Sequence, residues 1–542
     1  MRIFFLLLAS ILFMILTLGF GLYQQFGTII NLPPIEVIIE LLKAQHPSRP
    51  SSFMILSVFI AITIFIPIGI LLSLFGFKAN NEYGSSRFAK AKDIKKFKLN
   101  SKSGVILGKY GFNLLRSEEP LSTLCVAPPG TGKSAGFVIP NALAYEQSLF
   151  VLDIKGEISD NTSKYRSSFS NVIIFEPASI TNEFGFNPLD DSIIKDFDQN
   201  ELNQHILQVA ELLFKDKKNS TMEEHWILEA KNLFIFFAIF LIYEKSLDPN
   251  KNPSISIPYI RSFILRKEDL LSVIKEILNT YFNLPTLAKE LANALVQKAD
   301  KEFSGLFSTF QTKMIVFQDS YIAKSLSFNS FTPEQFRKEN TSLYFKINEI
   351  DIERLSPLVR LTLDFFVKSL LKKEKQKDDL NILFLLDEFP RFGSIPVLLK
   401  LPAIGRSYGL LSMFFFQSNG QITEIYQRHG MEELDSTTAY KIILTLNEHQ
   451  TAKSFSYSIG NTTRIKKGVS KSKSKNFLTN NGSSSSSQNL EGVPLVKAED
   501  LLSLSFGEAI VIVQGYRTIP IKAKTPFYFK NKQMLKAIKE SK

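Results

Sequence analysis

The chain has few of the residues that build disulfide frameworks and zinc sites. Its 542 residues include one cysteine, Cys125, and five histidines scattered along the sequence. A single cysteine excludes a disulfide framework and any zinc site made of several cysteines, and the lack of an HExxH pattern excludes a zinc protease of that type. Charged residues make up 21% of the chain and hydrophobic residues 45%, which excludes a disordered polymer.

Long uncharged runs are present, and two of them near the N-terminus predict a membrane anchor over residues 1–76. Residues 3–22 hold twenty positions without a charge and residues 53–76 hold twenty-four, whereas about 20 apolar residues span a bilayer as a helix. A cleaved signal peptide is the alternative for the first run, but its apolar core is too long. Lys and Arg are sparse in the loop 23–52 and frequent just after residue 76. This bias predicts a multi-pass membrane protein with both termini in the cytoplasm.

A third apolar run, Leu233–Tyr243, is interpreted differently. It has eleven residues and is flanked by charged residues on both sides, so it is too short to cross a bilayer. We expect a buried helix there.

Eight short apolar runs predict strands of a parallel β-sheet covered on both faces, because helical stretches alternate with them. The runs are Leu121–Ala127, Ser148–Asp153, Val172–Phe175, Thr341–Ile347, Ile382–Asp387, Leu410–Phe416, Tyr440–Leu446 and Glu508–Gln514. The alternation stops between residues 195 and 330, where helical periods dominate. One amphipathic face there consists of Leu202, Ile206, Val209 and Leu213. The pattern predicts an all-α insertion, 195–330, between two parts of an α/β domain, 77–194 and 331–542.

Positive charge is unevenly distributed. The net charge is +12, and residues 464–491 begin with clustered Lys and Arg and continue as a Ser/Asn/Gly-rich stretch, which predicts a flexible basic loop. Such charge suits nonspecific contact with single- or double-stranded DNA, but the cluster Lys90–Lys98 equally suits anionic lipid headgroups. No motif that reads base sequence occurs.

Residues 127–134 read Ala-Pro-Pro-Gly-Thr-Gly-Lys-Ser and predict a phosphate-binding loop between a strand and a helix. The P-loop pattern has Gly at the first position, where this chain has Ala127. Backbone N–H groups of such a turn hold phosphates, Lys133 reaches the outer phosphates, and the Ser134 hydroxyl ligates Mg²⁺. The residues predicted to bind ATP are Pro129, Gly130, Thr131, Gly132, Lys133, Ser134 and Ala135.

A second part of the site is expected where the strand NILFLLDE (381–388) ends. Asp387 would hold Mg²⁺, usually through water, and Glu388 would polarise the attacking water. The pair of acids therefore favours hydrolysis over passive nucleotide binding.

Two later residues are candidates for accessory roles. Gln417 ends the strand LLSMFFFQ, where its amide would sense the γ-phosphate, and Arg406 in GRSYG would reach a neighbouring subunit's site as an arginine finger. From spacing alone, a solvated or helix-capping side chain is an equal alternative for each.

The chain resembles type IV secretion coupling proteins of the TraG/TraD and VirD type over nearly its whole length. The matching segments are YGSSRFA (83–89), APPGTGKSAGFVIPN (127–141), VLDIKGE (151–157), FNPLD (186–190), LLDEFPRFGSIP (385–396) and GRSYGL (405–410). The segments VLDIKGE, FNPLD and LLDEFxxFGxIP are narrower signals than the phosphate-binding loop, which many ATPases share. Lys155 and Glu157 of VLDIKGE suit either a role near the nucleotide or an ion pair at a strand end.

The resemblance implies a RecA-like P-loop NTPase domain with an inserted all-α domain and an anchor in the bacterial inner membrane. It also implies a homo-hexamer with ATP sites between subunits. Arg406 and Gln417 match the family's trans-acting arginine and its glutamine sensor. The implied partners are inner-membrane components of the secretion channel and a cargo, which is either a relaxase–DNA complex or protein effectors.

Two other functions remain open from the residues. One is a membrane-anchored DNA translocase of the FtsK type, which usually has four spans and a C-terminal winged-helix reader that this sequence does not indicate. The other is a non-catalytic substrate receptor, which would have no physical need for Lys133, Ser134, Asp387 and Glu388 together.

Overall fold

The computed structural model describes residues 82–214, 221–252, 254–473 and 482–541. The two predicted membrane spans and the loop between them lie outside these residues. One compact unit consists of Gly84–Arg464 together with Gly492–Lys542, and Ile465–Glu491 belong to a second unit.

The first unit is built on an eleven-stranded sheet of order β2-β1-β13-β12-β9-β3-β8-β7-β4-β6-β5. Its strands are β1 Val105–Tyr110, β2 Asn113–Ser117, β3 Thr123–Val126, β4 Ser148–Ile154, β5 Asn171–Phe175, β6 Thr341–Ile347, β7 Ile382–Leu386, β8 Leu410–Phe416, β9 Tyr440–Ile443, β12 Glu508–Val513 and β13 Ile521–Lys524; β10 Asn461–Lys473 and β11 Gly482–Pro494 form a separate two-stranded sheet.

All eight predicted strands are present, but the prediction of a wholly parallel sheet is wrong at one side. The seven strands from β9 to β5 are parallel, whereas β12 pairs with β9 in antiparallel orientation and β13, β1 and β2 continue that pattern. The three strands of this sheet that were not predicted, β1, β2 and β13, are short or contain glycine, and β13 buries only alternate residues, so none gives a continuous apolar run.

Both faces of the inner parallel strands are buried, as their continuous hydrophobicity requires, whereas β5 at the end of the sheet fully buries only Ile173 and Phe175. Along β3, Leu124 and Val126 belong to one apolar cluster and Cys125 to the cluster on the opposite face. Phe150 of β4 stacks on Phe384 of β7, with ring centroids 5.5 Å apart.

The helices cover these two faces and form the region between β5 and β6. They are α1 Ala91–Lys96, α2 Ile139–Ala144, α3 Glu157–Arg166, α4 Asp191–Ile194, α5 Gln199–Phe214, α6 Thr221–Leu247, α7 Ile257–Leu265, α8 Leu270–Thr280, α9 Thr286–Val296, α10 Asp300–Lys313, α11 Ser320–Ser325, α12 Gln335–Lys338, α13 Ile352–Leu370, α14 Pro396–Ile404, α15 Asn419–Thr437, α16 His449–Ile459, α17 Ala498–Leu502 and α18 Lys532–Ser541.

The described residues between 195 and 330 contain helices and no strand, so their helical character is confirmed. On α5, the predicted face buries Ile206, Val209 and Leu213. These helices share one apolar cluster with the sheet, and the division into domains at residues 194 and 330 stays a prediction.

Helix α6 contains the run Leu233–Tyr243. By length and composition it is the one helix among the described residues that is able to cross a membrane. However, its residues from Leu233 to Leu241 are at most 3% exposed, because α5, α9 and α10 pack around it. The expected buried helix is therefore confirmed.

The prediction of a flexible basic loop over residues 464–491 needs one correction, because the described residues of that segment lie in strands. Strands β10 and β11 pair with each other there, and Lys466 forms an ion pair with Glu491 at 3.7 Å. Composition rich in Ser, Lys and Gly indicates little side-chain burial, but two such segments still satisfy their backbone hydrogen bonds by pairing.

Candidate nucleotide site

The segment that joins β3 to the next helix turns at the carboxyl edge of the parallel strands. The Ala127 N–H donates to the Phe416 carbonyl of β8 at 3.0 Å, which continues the sheet by one residue. Gly130 and Gly132 follow with φ of +79° and +86°, in the left-handed region that glycine adopts most readily. One π-helical turn, Ser134–Val138, precedes α2, and such turns are frequent at functional sites.

This turn brings Lys133 and Ser134 to the acids that end β7. Lys133 Nζ lies 3.2 Å from Asp387 Oδ1 and 3.3 Å from Glu388 Oε1. The Ser134 hydroxyl donates to Asp387 Oδ2 at 3.2 Å. The two predicted halves of the site, with Ser134 and Asp387 separated by 253 residues in the chain, therefore form one cluster.

Burial and charge act against each other in this cluster. Burial lowers the pKa of Lys133, but the negative charges of Asp387 and Glu388 outweigh it and raise that pKa above its ordinary value. Burial raises the pKa of Asp387 against the opposing effect of the Lys133 ammonium. Lys133 therefore stays charged, as a lysine that binds phosphate requires.

The donor set fits a magnesium nucleotide. Asp387 Oδ1 is buried and lies 3.2 Å from Lys133 Nζ, so once phosphates take the lysine this oxygen can accept a hydrogen bond from a water ligand of a metal ion. The glycines of the turn leave backbone N–H groups accessible to phosphate oxygens. When a nucleotide binds, the Lys133 ammonium would exchange its present carboxylate partners for phosphates.

Glu388 has an unusual backbone conformation and an ion pair on each side of its carboxylate. Its φ of +47° is in the left-handed region, which costs a residue with a side chain about 1–3 kcal/mol. Arg391, one helical turn later, places its Nη1 3.2 Å from Glu388 Oε2. The carboxylate therefore lies between Lys133 and Arg391.

A chain of ion pairs continues from Arg391 to the loop after β4. Arg391 Nη1 lies 3.1 Å from Glu349 Oε1, and Lys155 Nζ lies 3.0 Å from Glu349 Oε2. Lys155 and Arg391 together lower the pKa of Glu349. Lys155 of the VLDIKGE segment is thus part of an ion pair at a strand end, which was one of its two predicted roles.

Gln417 lies at the same edge of the sheet as the cluster. It follows the last residue of β8, which lies between β3 and β7, and its backbone N–H donates to Gln421 Oε1 at 2.8 Å. This position suits the predicted contact with the outer phosphate.

Arg406 is not brought to this cluster. It lies in the turn Gly405–Tyr408 before β8, at the opposite edge of the sheet, about 20 Å away along a strand of seven residues. Its side chain is 65% exposed and lies 3.6 Å from Glu119. Arg406 therefore cannot reach the P-loop of its own subunit.

Sequence reasoning missed Arg391 and two phenylalanines beside the turn. Arg391 is inside the LLDEFPRFGSIP segment, and its spacing of three residues from Glu388 was a usable signal. Phe527 and Phe506 lie next to Gly132, and no spacing in the sequence indicates a contact across nearly 400 residues.

Comparison with known proteins shows the family of the chain. The family described as Type IV secretory system Conjugative DNA transfer matches residues 79–542. The chain belongs to this family. Among curated relatives, the conjugal transfer protein TraG of Escherichia coli is 24% identical over 84% of this chain and 78% of its own length. VirD4 of Agrobacterium fabrum is 25% identical over 88% of this chain and 70% of its own length.

Solved structures of the bacterial conjugative coupling protein TrwB share the fold of this chain. An unbound form has a TM-score of 0.59 at 16% identity and covers 81% of this chain and 94% of that chain. At this identity the likeness shows the fold alone, which agrees with the predicted RecA-like α/β domain. Other TrwB structures contain a non-hydrolysable ATP analogue, or ADP and Mg²⁺.

Proposed function

We propose that this chain is a membrane-anchored ATPase that couples a cargo to a type IV secretion channel and drives its translocation by ATP hydrolysis. The observation that carries the proposal is the contact of Lys133 with both Asp387 and Glu388, because it joins the phosphate-binding turn to the two acids that hydrolysis needs. Membership in the conjugative DNA transfer family and the nucleotide complexes of TrwB support it.

The proposed role of each residue follows from its position in the site. Backbone N–H groups of the turn from Gly130 to Ser134 bind the phosphates, and Lys133 pairs with the outer ones. Asp387 and the Ser134 hydroxyl would hold Mg²⁺, which neutralises charge on the phosphates when bound. Glu388, released from Lys133 and kept by Arg391, orients the attacking water and accepts its hydrogen bond.

We further propose that the chain works as a homo-hexameric ring with ATP sites between subunits. The position of Arg406 supports this, because it is exposed at the sheet edge opposite its own P-loop and is free to face a neighbour's site. It also lines an open groove of about 870 Å³ together with Ile404, Leu371 and Pro120, which offers apolar surface beside the charge.

The proposal also covers the membrane anchor, the channel that the protein contacts and the cargo that it delivers. The two apolar runs of residues 1–76 would hold the protein in the inner membrane, beside the channel's inner-membrane components. A relaxase–DNA complex is the cargo that the family description favours, and protein effectors are the alternative.

The test is ATP hydrolysis by the full-length protein purified in detergent, with and without single-stranded DNA. We expect Glu388→Gln to lower the rate at least about a hundredfold, because the water loses its orienting base. Glu290→Gln, the same change at an exposed site on α9, is the matched control and should leave the rate unchanged.

Stimulation by DNA would support a nucleic-acid cargo, and indifference to DNA would favour protein effectors. An unchanged rate in Glu388→Gln would contradict the proposed hydrolytic site. A wild-type protein without any hydrolysis would favour the substrate receptor that lacks catalysis.

A further inference from the structure

Three phenylalanines form a stack beside the phosphate-binding turn. Phe506 and Phe527 have ring centroids 5.0 Å apart with planes at 16°, and Phe527 and Phe529 have centroids 4.9 Å apart with planes at 20°. We call these three residues the aromatic stack. Phe527 and Phe529 follow β13, and Phe506 precedes β12, so two antiparallel strands bring them together.

The aromatic stack contacts the turn itself. A Cβ atom on Gly132 would lie 2.5 Å from Phe527 Cε1 and 3.5 Å from Phe506 Cε2. The two rings therefore pack against the backbone whose N–H groups are expected to hold phosphates.

Core packing explains only the middle ring of the stack. Phe527 is 2% exposed, whereas Phe506 is 63% exposed and Phe529 is 43% exposed. Exposed apolar rings that lie next to one another at the mouth of a site indicate a ligand or partner that covers them.

The sheet order places the aromatic stack on the side of the turn where a nucleoside would lie. Glu388 follows β7, which is separated from β3 by β8, while β9, β12 and β13 lie on the other side of β3. A triphosphate whose terminal phosphate points toward Glu388 extends its ribose and base in the opposite direction across the turn. That direction leads to Phe506.

We propose that the exposed face of Phe506, backed by Phe527, stacks on the base of the nucleotide bound at Lys133. This inference rests on the proposed nucleotide site. An aromatic side chain stacks on any base, and it stacks more strongly on the larger ring system of a purine than on a pyrimidine. The subsite therefore takes purine nucleoside triphosphates, adenine and guanine alike, and binds pyrimidine nucleotides more weakly.

The experiment is calorimetric titration of the full-length protein with non-hydrolysable ATP and GTP analogues and with inorganic tripolyphosphate. Phe506→Ala should weaken binding of both purine analogues about tenfold and leave tripolyphosphate binding unchanged. Phe506→Tyr should restore the affinity, because it keeps the ring. Phe112→Ala, at a phenylalanine that is 98% exposed in the turn between β1 and β2, is the control that should change nothing.

Loss of base stacking and loss of the phosphate site give different titration results. If Phe506→Ala binds the analogues as tightly as the wild type, Phe506 does not hold the base. The same conclusion follows if Phe506→Ala weakens the binding of tripolyphosphate as much as the binding of the analogues. Neither result contradicts the phosphate site at Lys133. If the wild type binds neither analogue nor tripolyphosphate, or Lys133→Ala binds both unchanged, the nucleotide site itself is overturned and the base subsite with it.

Discussion

Gly132 is subject to two constraints at once. Its φ of +86° is in the left-handed region, and the Phe527 ring occupies the space that a side chain would need. Gly130 has a similar φ of +79° but nothing within 4 Å of a Cβ atom. The two glycines of one turn therefore separate the cost of backbone strain from the cost of a steric clash.

We predict that Gly130→Ala lowers the free energy of unfolding by about 1–2 kcal/mol, the cost of a left-handed residue with a side chain. Gly132→Ala should lower it further, because Phe527 must also move. Urea unfolding of both variants, followed by tryptophan fluorescence and circular dichroism, measures the difference. Equal midpoints for the two would contradict the contact between Gly132 and Phe527.

The site residues that belong to sequence motifs were predictable. Lys133, Ser134, Asp387 and Glu388 form the expected cluster, because a strand that ends in a glycine turn or in acids places those residues at one edge of a parallel sheet. Phe506 was not predictable, since its contact with Gly132 depends on the antiparallel strands at the other end of the chain.

The loops after β4, β6 and β7 are joined by the ion pairs from Lys155 through Glu349 and Arg391 to Glu388. When phosphates take Lys133, Arg391 remains as the cation beside Glu388. These ion pairs thus provide a second support for the carboxylate that we propose to orient water.

We predict that Arg391→Gln lowers kcat for ATP about fivefold and leaves KM nearly unchanged. A partly exposed ion pair contributes up to about 1 kcal/mol, and Arg391 contacts Glu388 rather than the phosphates. Steady-state kinetics of the full-length protein measures both constants. Arg428→Gln, whose arginine pairs with Glu432 on the exposed surface of α15, is the matched control.

A rise in KM with an unchanged kcat would contradict this role for Arg391. It would instead indicate that Arg391 binds the nucleotide directly.

Elements were predictable where burial gives a continuous apolar pattern. Thr341–Ile347 and Leu410–Phe416 have the predicted bounds because both faces of each strand are buried. Ile521–Lys524 alternates buried and exposed residues over four positions, too short a run to separate from a loop. The pairing of β10 with β11 depends on backbone hydrogen bonds, which composition does not report.

The whole molecule presents its P-loop and Arg406 at opposite edges of one sheet. In a closed ring of identical subunits, one edge of each subunit meets the opposite edge of the next, so both edges are used at every interface. The account therefore requires that an ATP site be completed by Arg406 of a neighbour, and the central claim of a ring ATPase depends on this contact.

The measurement that tests this claim most directly is ATP hydrolysis by mixed oligomers of full-length Arg406→Ala and Lys133→Ala. Each variant alone should be inactive, because one lacks the arginine and the other the lysine that binds phosphate. Oligomers formed by co-expression in equal amounts should regain about a quarter of wild-type activity, since an intact P-loop then meets an intact Arg406 at that fraction of interfaces. Mixed oligomers that form but remain inactive, or an Arg406→Ala protein as active as the wild type, would contradict the account.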